Sequence, residues 1–384
     1  MKFTNNAMKF GIFMGPYHKP DLNPKVSFQQ DMQTIINLDA LGYEEAWVGE
    51  HHSGGIETIS CPELTIAAAA ERTKHIKLGT GAITLPYHNP LMVADRIVQL
   101  DYMTNGRMMF GVAPGQLVQD ATMIGIDPRD NRRRMQESLD AIIPLLKGET
   151  VTMKTDWFEL KDAYLQLLPC SDFDMATVSV ISPSGPITAG KYGMGLLSVA
   201  ATDPVGVEKL NGHWQIVQDE AAKNGHTVGR DQWRLMGPMH IAETVEQAKQ
   251  DVKYGLGLLE DYRRHINPGL DIDWFDTDAV VDLLNESGYA VIGTPEMARA
   301  QIERLLEKTG GFGTYLLMGV DWARYDATCR SHQLFAEEVI PYFNGTRAPL
   351  RRGFDDVMGT GYEGAVITAE AQKQVADAYA KSKG

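Results

Sequence analysis

The chain alternates short apolar runs with longer segments in which apolar residues recur every three or four positions. The apolar runs predict strands at 9–14, 45–48, 76–79, 108–112, 177–181, 195–199, 234–241 and 314–318. The segments with helical spacing predict helices at 27–41, 62–72, 90–103, 133–146, 187–192, 205–223, 245–259, 295–308 and 330–339. A strand–helix rhythm of this kind indicates a parallel sheet, because a crossover helix returns the chain to the same edge before each new strand.

Eight strands with intervening helices predict an α/β fold, a single (β/α)₈ barrel over residues 1–345. Such barrels usually span roughly 250 residues, so insertions must account for the remainder. A doubly wound sheet is the alternative fold, but no G-x-G-x-x-G motif opens the first turn between strand and helix.

Three segments interrupt the rhythm. Residues 148–168 alternate as a hairpin does, 261–289 mix Asp, Pro, Gly and aromatic residues, and 346–384 follow the last barrel helix. Insertions at the carboxyl ends of barrel strands commonly cover active sites. The C-terminal extension, 346–384, is predicted to be a lid, a dimer arm or a tail.

Charge and cysteine content narrow the function classes. The 384 residues include 36 Lys and Arg against 50 Asp and Glu, a formal charge of −14 that disfavours nucleic-acid binding and favours a small-molecule substrate. Cys61, Cys170 and Cys329 lie far apart without a C-x-x-C motif, so we expect a reducing, cytoplasmic location. No apolar stretch reaches the roughly 18 residues of a membrane span, so no membrane partner is expected.

The stretch GEHHSGG at 49–55 carries the first candidate chemistry. Glu50, His51 and His52 directly follow the second predicted strand, which in a barrel ends on the catalytic face. Neighbouring residues at a strand end point in opposite directions, so no shared metal ion is predicted. His51 is a candidate proton donor or acceptor that the adjacent Glu50 could bias. The alternative is a structural histidine whose ring forms hydrogen bonds with the loop backbone, and this is the better interpretation for His52.

Five motifs, in this order, also carry a resemblance to a known family: MKFGIFMGPY, GEHHSGG, LGTGAITLPYHNP, LDYMTNGRMMFGVAPG and GTPEMARAQIERLLEKTGGFGTYLL. Over residues 8–343 the chain resembles the bacterial luciferase-like, flavin-dependent monooxygenases. Within that family it is similar to the limonene monooxygenase-like group and to the diketocamphane-type Baeyer–Villiger oxygenases.

The resemblance implies an enzyme that binds reduced FMN and O₂ at the carboxyl face of the barrel. Through a flavin 4a-peroxide it would insert one oxygen atom into a small apolar substrate, a cyclic terpenoid, by Baeyer–Villiger oxidation or by epoxidation or hydroxylation. The family also implies a homodimer. Because the chain has no second nucleotide-binding domain, a separate NAD(P)H flavin reductase is expected to supply FMNH₂ by diffusion.

The resemblance assigns cofactor residues in this sequence. The implied FMN contacts are Thr80, Gly81, Ala82, Gly115, Ser182, Ser184 and Gly185. A cis peptide is implied between Gly81 and Ala82 under the flavin ring, with Thr80 bonded to its pyrimidine edge. At the phosphate the chain departs from luciferases, with Ile181 in place of an acidic residue and Pro114 in place of an arginine.

The remaining implied roles concern catalysis and the substrate. His51, assisted by Glu50, matches the histidine of flavin oxygen chemistry, and Tyr17, Tyr87 and His88 are candidates to line the substrate pocket. Ala113 replaces the reactive luciferase cysteine, which speaks against light emission. Two alternatives remain open, a deazaflavin-dependent oxidoreductase of the same fold and a non-catalytic flavin-binding protein. The run Arg132–Arg133–Arg134 is interpreted as a solvated helix start without a catalytic role.

Overall fold

The computed structural model describes residues 8–266 and 276–383. Its strands are β1 Lys9–Tyr17, β2 Glu45–Val48, β3 Lys77–Thr80, β4 Ile83–Thr84, β5 Met108–Ala113, β6 Val151–Lys154, β7 Glu159–Ala163, β8 Met175–Ser179, β9 Gly195–Ser198, β10 Trp233–Gly237, β11 Met239–Ile241, β12 Val291–Gly293 and β13 Thr314–Val320. Its α-helices are α1 Pro24–Leu41, α2 Pro62–Ala70, α3 Pro90–Met103, α4 Val118–Met123, α5 Asn131–Leu146, α6 Ser184–Tyr192, α7 Gly206–Lys223, α8 Val245–Val252, α9 Leu256–Ile266, α10 Thr277–Glu286, α11 Pro295–Thr309, α12 Tyr325–Leu334, α13 Ile340–Phe343, α14 Arg347–Gly359 and α15 Glu363–Ser382.

Within the described residues, eight parallel strands close into a barrel. Each strand pairs with the next in the order β1, β2, β3, β5, β8, β9, β10 and β13, and β13 pairs back with β1. The short strand β4 lies beside β5, also in parallel. The predicted (β/α)₈ barrel is therefore confirmed, and the carboxyl ends of all eight strands meet at one end of it.

The first helix shows how local sequence sets the element boundaries. Pro24 occupies its first turn, and the Asn23 side chain accepts a hydrogen bond from the Lys25 N–H. The helix ends at Gly42, whose φ of 83° places it in the left-handed region that glycine adopts without a Cβ clash. These start and stop signals are visible in the sequence, which explains why the predicted helix ends where the structure has it.

Two predicted elements are each split in the structure, and both predictions were wrong in the same way. The predicted strand 234–241 is β10 followed by β11, because Pro238 has no N–H to continue the ladder. Strand β11 pairs with β12 in a separate small sheet. The predicted helix 245–259 is α8 followed by α9, with Gly255 between them. A Cβ at Gly255 would lie 2.0 Å from the Asp321 carbonyl oxygen, so the chain turns there against a neighbouring loop.

The last predicted barrel helix is longer and less regular than the sequence suggests. It begins at Tyr325, before the predicted 330–339, and its end, Phe335–Val339, winds as a π-helical turn. The barrel interior holds an apolar cluster that includes Trp47, with an ion pair packed against it. The Arg234 Nε lies 2.7 Å from Glu45 Oε2, and the guanidinium lies 5.0 Å from the Trp47 ring centre.

The interrupting segments differ in structure. The predicted hairpin in 148–168 is confirmed as the antiparallel pair β6 and β7. Of 261–289, the structure shows the end of α9 and the helix α10, while residues 267–275 lie outside the described part. The chain divides into two compact units between Val339 and Ile340, and the described second unit contains α13, α14 and α15. The roles suggested for 346–384 stay predictions.

Candidate active site

The residues predicted to form a site lie at the carboxyl ends of different barrel strands. Tyr17 ends β1, Glu50 and His51 follow β2, Thr80 ends β3, Gly115 follows β5 and Ser182 follows β8. Since the strands are parallel and the barrel is closed, these segments share one end of it. Their assigned contacts with FMN and substrate stay predictions.

His51 is held between two carboxylates, and neither is its neighbour in sequence. The His51 Nδ1 lies 3.1 Å from Asp120 Oδ2, and the Nε2 lies 3.3 Å from Glu57 Oε2. The His51 side chain keeps 21% of its surface exposed, whereas both carboxylates are almost fully buried. An imidazole in this position can exchange protons with a bound molecule while its orientation is fixed by the two acids.

Glu50 raises the pKa of His51 through its charge, as expected, but less than Asp120 and Glu57 do, and it does not bond to the His51 ring. Glu50 instead accepts hydrogen bonds from His88 Nε2 at 2.6 Å and His52 Nε2 at 2.9 Å through one oxygen, and from the Thr84 N–H at 2.7 Å through the other. Burial raises the pKa of Glu50, but the hydrogen bonds from His52 and His88 outweigh it and hold the pKa below its ordinary value. Glu50 thus connects the loop after β2 with the segment that carries Thr84 and His88. The hydrogen bond from His88 Nε2 to Glu50 leaves only the other ring nitrogen of His88 for a substrate.

Asp120 organises the loop that carries His51. This residue of the short helix α4 also accepts the His52 N–H at 3.1 Å and the Ser53 hydroxyl. Burial raises the pKa of Asp120, yet its hydrogen bonds with His51 and Ser53 are stronger and lower the pKa overall. Asp120 therefore stays ionised and accepts the proton on His51 Nδ1, which fixes the orientation of the ring.

The pKa values of His51 and Glu57 are moved towards neutrality or above it. Burial lowers the pKa of His51, but the hydrogen bond to Asp120 and the negative charge of Glu57 together raise it above its ordinary value. Burial raises the pKa of the Glu57 carboxyl to about 7, with His51 opposing and Asp120 adding to that effect. Titratable groups that have shifted pKa values and face each other at the carboxyl end of a barrel are typical of a catalytic site.

The Thr80 side chain bonds to the neighbouring strand β5. Its hydroxyl donates to the Gly111 carbonyl at 2.7 Å and accepts the Gly111 N–H at 2.9 Å, and the residue is fully buried. The predicted hydrogen bond of Thr80 to a flavin edge stays a prediction. In the barrel wall, Thr80 joins β3 to β5. The cis peptide predicted between Gly81 and Ala82 is confirmed.

The loop after β8 contains the predicted phosphate residues. The Ser182 and Ser184 hydroxyls lie 2.8 Å apart, and the Arg132 Nε donates to the Ser184 hydroxyl at 3.4 Å. Ser184 begins α6, whose first turn has no side-chain cap. Gly185 packs tightly on β8, because a Cβ there would lie 2.6 Å from the Val178 carbonyl oxygen.

Aromatic side chains border His51 and its acids. Tyr17 lies beside Glu57, and its ring meets that of Tyr262 edge-on with centres 6.5 Å apart. Gly115, with φ of 86°, allows a close approach of Tyr87, since a Cβ at Gly115 would lie 2.6 Å from the Tyr87 hydroxyl. The pocket-lining roles of Tyr17 and Tyr87 stay predictions.

Sequence reasoning missed Glu57, Asp120 and Arg132. Asp120 and Glu57 follow predicted strands within a few residues of the candidate motifs, so their place in the chain was a usable signal. Their partners lie in other loops, however, and only the closed barrel brings these loops together. Arg132 was interpreted as solvated, and it is exposed, but its guanidinium points to the serine loop.

The described residues contain neither a metal-binding cluster nor a helix that could span a membrane. No group of three or more His, Cys, Asp or Glu among them is arranged to hold a metal ion. None of the described helices combines the length and the apolar character required to cross a bilayer.

The closed barrel holds a clamped, partly exposed imidazole at its carboxyl end, which is the end where (β/α)₈ enzymes have their active sites. Residues 8–311 match the luciferase-like monooxygenase family, and the chain belongs to that family. It is therefore an enzyme, a monooxygenase, as the sequence resemblance predicts.

Named relatives agree with this assignment. The chain is 52% identical over 365 residues to limonene 1,2-monooxygenase of Rhodococcus erythropolis, covering 95% of this chain and 94% of the relative. It is 43% identical over 352 residues to 4-hydroxyprotoasukamycin monooxygenase of Streptomyces nodosus subsp. asukaensis, covering 88% and 93%. Among solved structures, the oxygenating constituent of 3,6-diketocamphane monooxygenase from Pseudomonas putida, in complex with FMN, superposes with a TM-score of 0.72. That pair shares 24% identity over 87% of this chain and 98% of the other.

Proposed function

We propose that the protein is the oxygenase component of a two-component system that uses FMNH₂ and O₂. It inserts one oxygen atom into a small apolar substrate, most specifically a cyclic terpenoid, by Baeyer–Villiger oxidation or by epoxidation or hydroxylation. The observation that carries the proposal is the partly exposed His51, clamped by Asp120 and Glu57 at the carboxyl end of the barrel.

The donors in the loop after β8 fit a phosphate group. Ser182 and Ser184 offer hydroxyls, the start of α6 offers uncapped N–H groups, and Arg132 offers a positive charge at the same place. A phosphate dianion needs this combination of N–H, O–H and cationic donors. In this proposal Arg132 supplies the positive charge that an arginine provides in luciferases at the position of Pro114.

The ring site rests on small residues at the end of β3. A Cβ at Gly81 would lie 2.8 Å from Trp47 Cβ, so glycine is required there, and Ala82 is small and buried. Neither residue therefore projects a large side chain towards a planar ring. When bound there, reduced FMN supplies the electrons that activation of O₂ requires.

The chain's own residues then handle protons and exclude water. His51 holds or donates a proton at Nε2, while Asp120 keeps the ring in place through Nδ1. The rings of Tyr17, Tyr87 and Tyr262 are placed to cover the space around His51 and to hinder the entry of water.

The substrate and partner proposals rest on relatives. Limonene 1,2-monooxygenase, named for a cyclic terpene, aligns with nearly the whole chain, and this supports an apolar terpenoid substrate. A separate NAD(P)H flavin reductase and a homodimer complete the proposal. The FMN in the similar solved structure supports FMN over a deazaflavin as the cofactor.

Product analysis with labelled oxygen tests this function. The purified chain would be incubated with FMN, NADH, an added flavin reductase and ¹⁸O₂, with limonene or a bicyclic terpenoid ketone as substrate. We expect one labelled oxygen atom in the product, which mass spectrometry of the extract would detect, and no product without the reductase. Product formed only with reduced deazaflavin, or flavin binding without any labelled product from a broad terpenoid panel, would contradict the proposal.

A further inference from the structure

Glu57 is a buried acid to which the proposed reaction assigns no direct contact with substrate. It is 7% exposed, and its backbone forms an isolated antiparallel bridge with Tyr17 at the end of β1. Gly15 leaves room for the carboxylate, because a Cβ at that position would lie 2.8 Å from Glu57 Oε2. The surroundings thus hold this carboxylate at one place beside His51.

The two ring nitrogens of His51 face different acids. Asp120, 3.1 Å from Nδ1, is kept ionised by its hydrogen bonds and holds a proton on Nδ1. The Nε2 lies 3.3 Å from Glu57 Oε2. A second proton in this cluster therefore has two places, on Nε2 of the ring or on the Glu57 carboxyl.

Other charged and titratable groups face this pair from several elements. Asp120 and Glu50 act on His51, while Tyr17 acts on Glu57. Tyr262, Arg263 and Tyr289 lie around Tyr17 and interact with it electrostatically. Burial brings the pKa of Glu57 to about 7, which is close to that of an ordinary imidazole. The pKa of His51 is raised above that ordinary value, so the His51 ring competes with the Glu57 carboxyl for the proton.

We propose that Glu57 is a positioning residue whose carboxylate, 3.3 Å from Nε2, sets the protonation state of His51 through its charge. In one form His51 is an imidazolium beside a carboxylate. In the other it is a neutral imidazole beside a carboxylic acid. The two forms carry the same total charge, because the proton that is on Nε2 in one form is on the Glu57 carboxyl in the other.

This inference rests on the proposed function for its consequence. If His51 gives the Nε2 proton to an oxygen atom of the bound reactants, His51 becomes neutral, Glu57 remains ionised, and the pair regains a proton from water. A protonated oxygen acts as an electrophile and a deprotonated one as a nucleophile. Glu57 thereby biases the enzyme between epoxidation or hydroxylation and attack on a carbonyl group.

The test measures the titration of His51 without any cofactor. Diethyl pyrocarbonate modifies only the neutral form of imidazole. The rate of His51 modification is measured at each pH by peptide mass spectrometry, and its dependence on pH gives the titration midpoint of His51. In the wild-type chain we expect a midpoint above the ordinary value of about 6.5. In Glu57→Gln it should fall by about one pH unit or more, since an opposite charge within about 4–6 Å shifts a pKa by 1–3 units.

Glu63→Gln is the matched control. Glu63 is equally buried, at 7% exposure, but it pairs with Arg96 instead of a histidine, so the His51 midpoint should not move. Tyr17→Phe is the second variant, in case Glu57→Gln does not fold. Loss of the hydroxyl should raise the pKa of Glu57, reduce its charge and lower the His51 midpoint by a smaller amount.

Two results would overturn the inference. One is a wild-type His51 midpoint at or below the ordinary value, and the other is an unchanged midpoint in a folded Glu57→Gln. Because the measurement needs neither FMN nor substrate, its failure is separate from a failure of the proposed function, which the labelled-oxygen experiment detects.

Discussion

At the scale of single residues, the side chains around His51 are arranged to control protons. Each ring nitrogen has its own carboxylate, and Glu50, the acid next to it in sequence, serves two other histidines. Sequence adjacency therefore identified an acid that acts on His51 only through its charge, and it missed the two carboxylates that contact the ring. Spacing along a chain says little about which loops meet above a barrel, and this limits what motifs can predict about a site.

Replacement of Asp120 by Asn tests the clamp on His51. The amide keeps the shape but loses the charge that orients the ring, so we expect product formation to fall by roughly 10²-fold or more, within the usual range for acid–base groups. Consumed oxygen should then appear as hydrogen peroxide, measured with a peroxidase assay. His75→Gln, which alters an exposed histidine, is the control and should retain wild-type yield. Equal yields in Asp120→Asn and wild type would refute the role of the clamp.

Thr80→Val tests whether the Thr80 side chain supports the barrel wall or a bound flavin. The two hydrogen bonds to Gly111 would be lost inside the barrel wall, and unpaired buried backbone groups cost about 1–3 kcal/mol each. Denaturant unfolding should show that loss, with FMN affinity per folded molecule unchanged. Thr122→Val, at an exposed position of α4, should change the free energy of unfolding by less than about 0.5 kcal/mol. A large loss of FMN affinity with unchanged stability would instead support the predicted hydrogen bond of Thr80 to the flavin.

At the scale of elements, α5 and α6 together form the proposed phosphate site. Arg132 near the start of α5 contacts Ser184 at the start of α6, although 52 positions separate them in sequence. The elements themselves were predicted from periodicity, because helical spacing and turn residues are local signals. The contact between them was not, since an exposed arginine on a helix is ordinarily solvated.

Arg132→Gln should weaken binding of FMN by about tenfold, because a hydrogen bond to a charged group contributes about 1.5–3 kcal/mol. Riboflavin, which lacks the phosphate, provides the internal comparison, and its affinity should not change. Isothermal titration of both ligands measures the difference. Arg129→Gln is the matched variant, because Arg129 is exposed and paired with Asp127. If both flavins lose affinity equally, Arg132 acts on the ring site or on folding instead of the phosphate.

At the scale of the whole molecule, the barrel could be predicted and its irregularities could not. Eight apolar runs determined the fold class, because burial on both faces leaves a continuous apolar signature in parallel strands. The breaks at Pro238 and Gly255 were missed. At Pro238 the apolar run continues past the residue, although the missing N–H ends the strand there. At Gly255 the helical spacing continues, and the close contact with the Asp321 carbonyl oxygen ends the helix.

His18 should make the stability of the barrel unit depend on pH. It lies 3.0 Å from Asp31 in α1 and 2.7 Å from Asp321 after β13. Burial lowers the pKa of His18, but the two carboxylates outweigh this effect and raise it to about 10. The folded pKa exceeds the unfolded value of about 6.5, so the stabilisation is complete below about 6.5 and is lost as pH rises to about 10.

The measurement compares urea unfolding of the wild type and His18→Gln between pH 6 and pH 10. Their difference in free energy of unfolding should be largest at the acidic end and should shrink steadily towards the alkaline end. His226→Gln, at an exposed position, controls for titration elsewhere. A difference that stays constant across this range would mean that His18 contributes by packing and not by its charge.

The Glu50 carboxylate has a consequence for protein engineering. One side chain ties the loop after β2 to the segment that carries Thr84 and His88, so both segments depend on it at once. A mutant library that aims at new substrates should keep Glu50, His52 and His88 unchanged and diversify Tyr87. A substitution at Glu50, His52 or His88 would disturb both segments in every variant. A substitution at the Tyr87 ring would instead change the shape of the predicted substrate pocket.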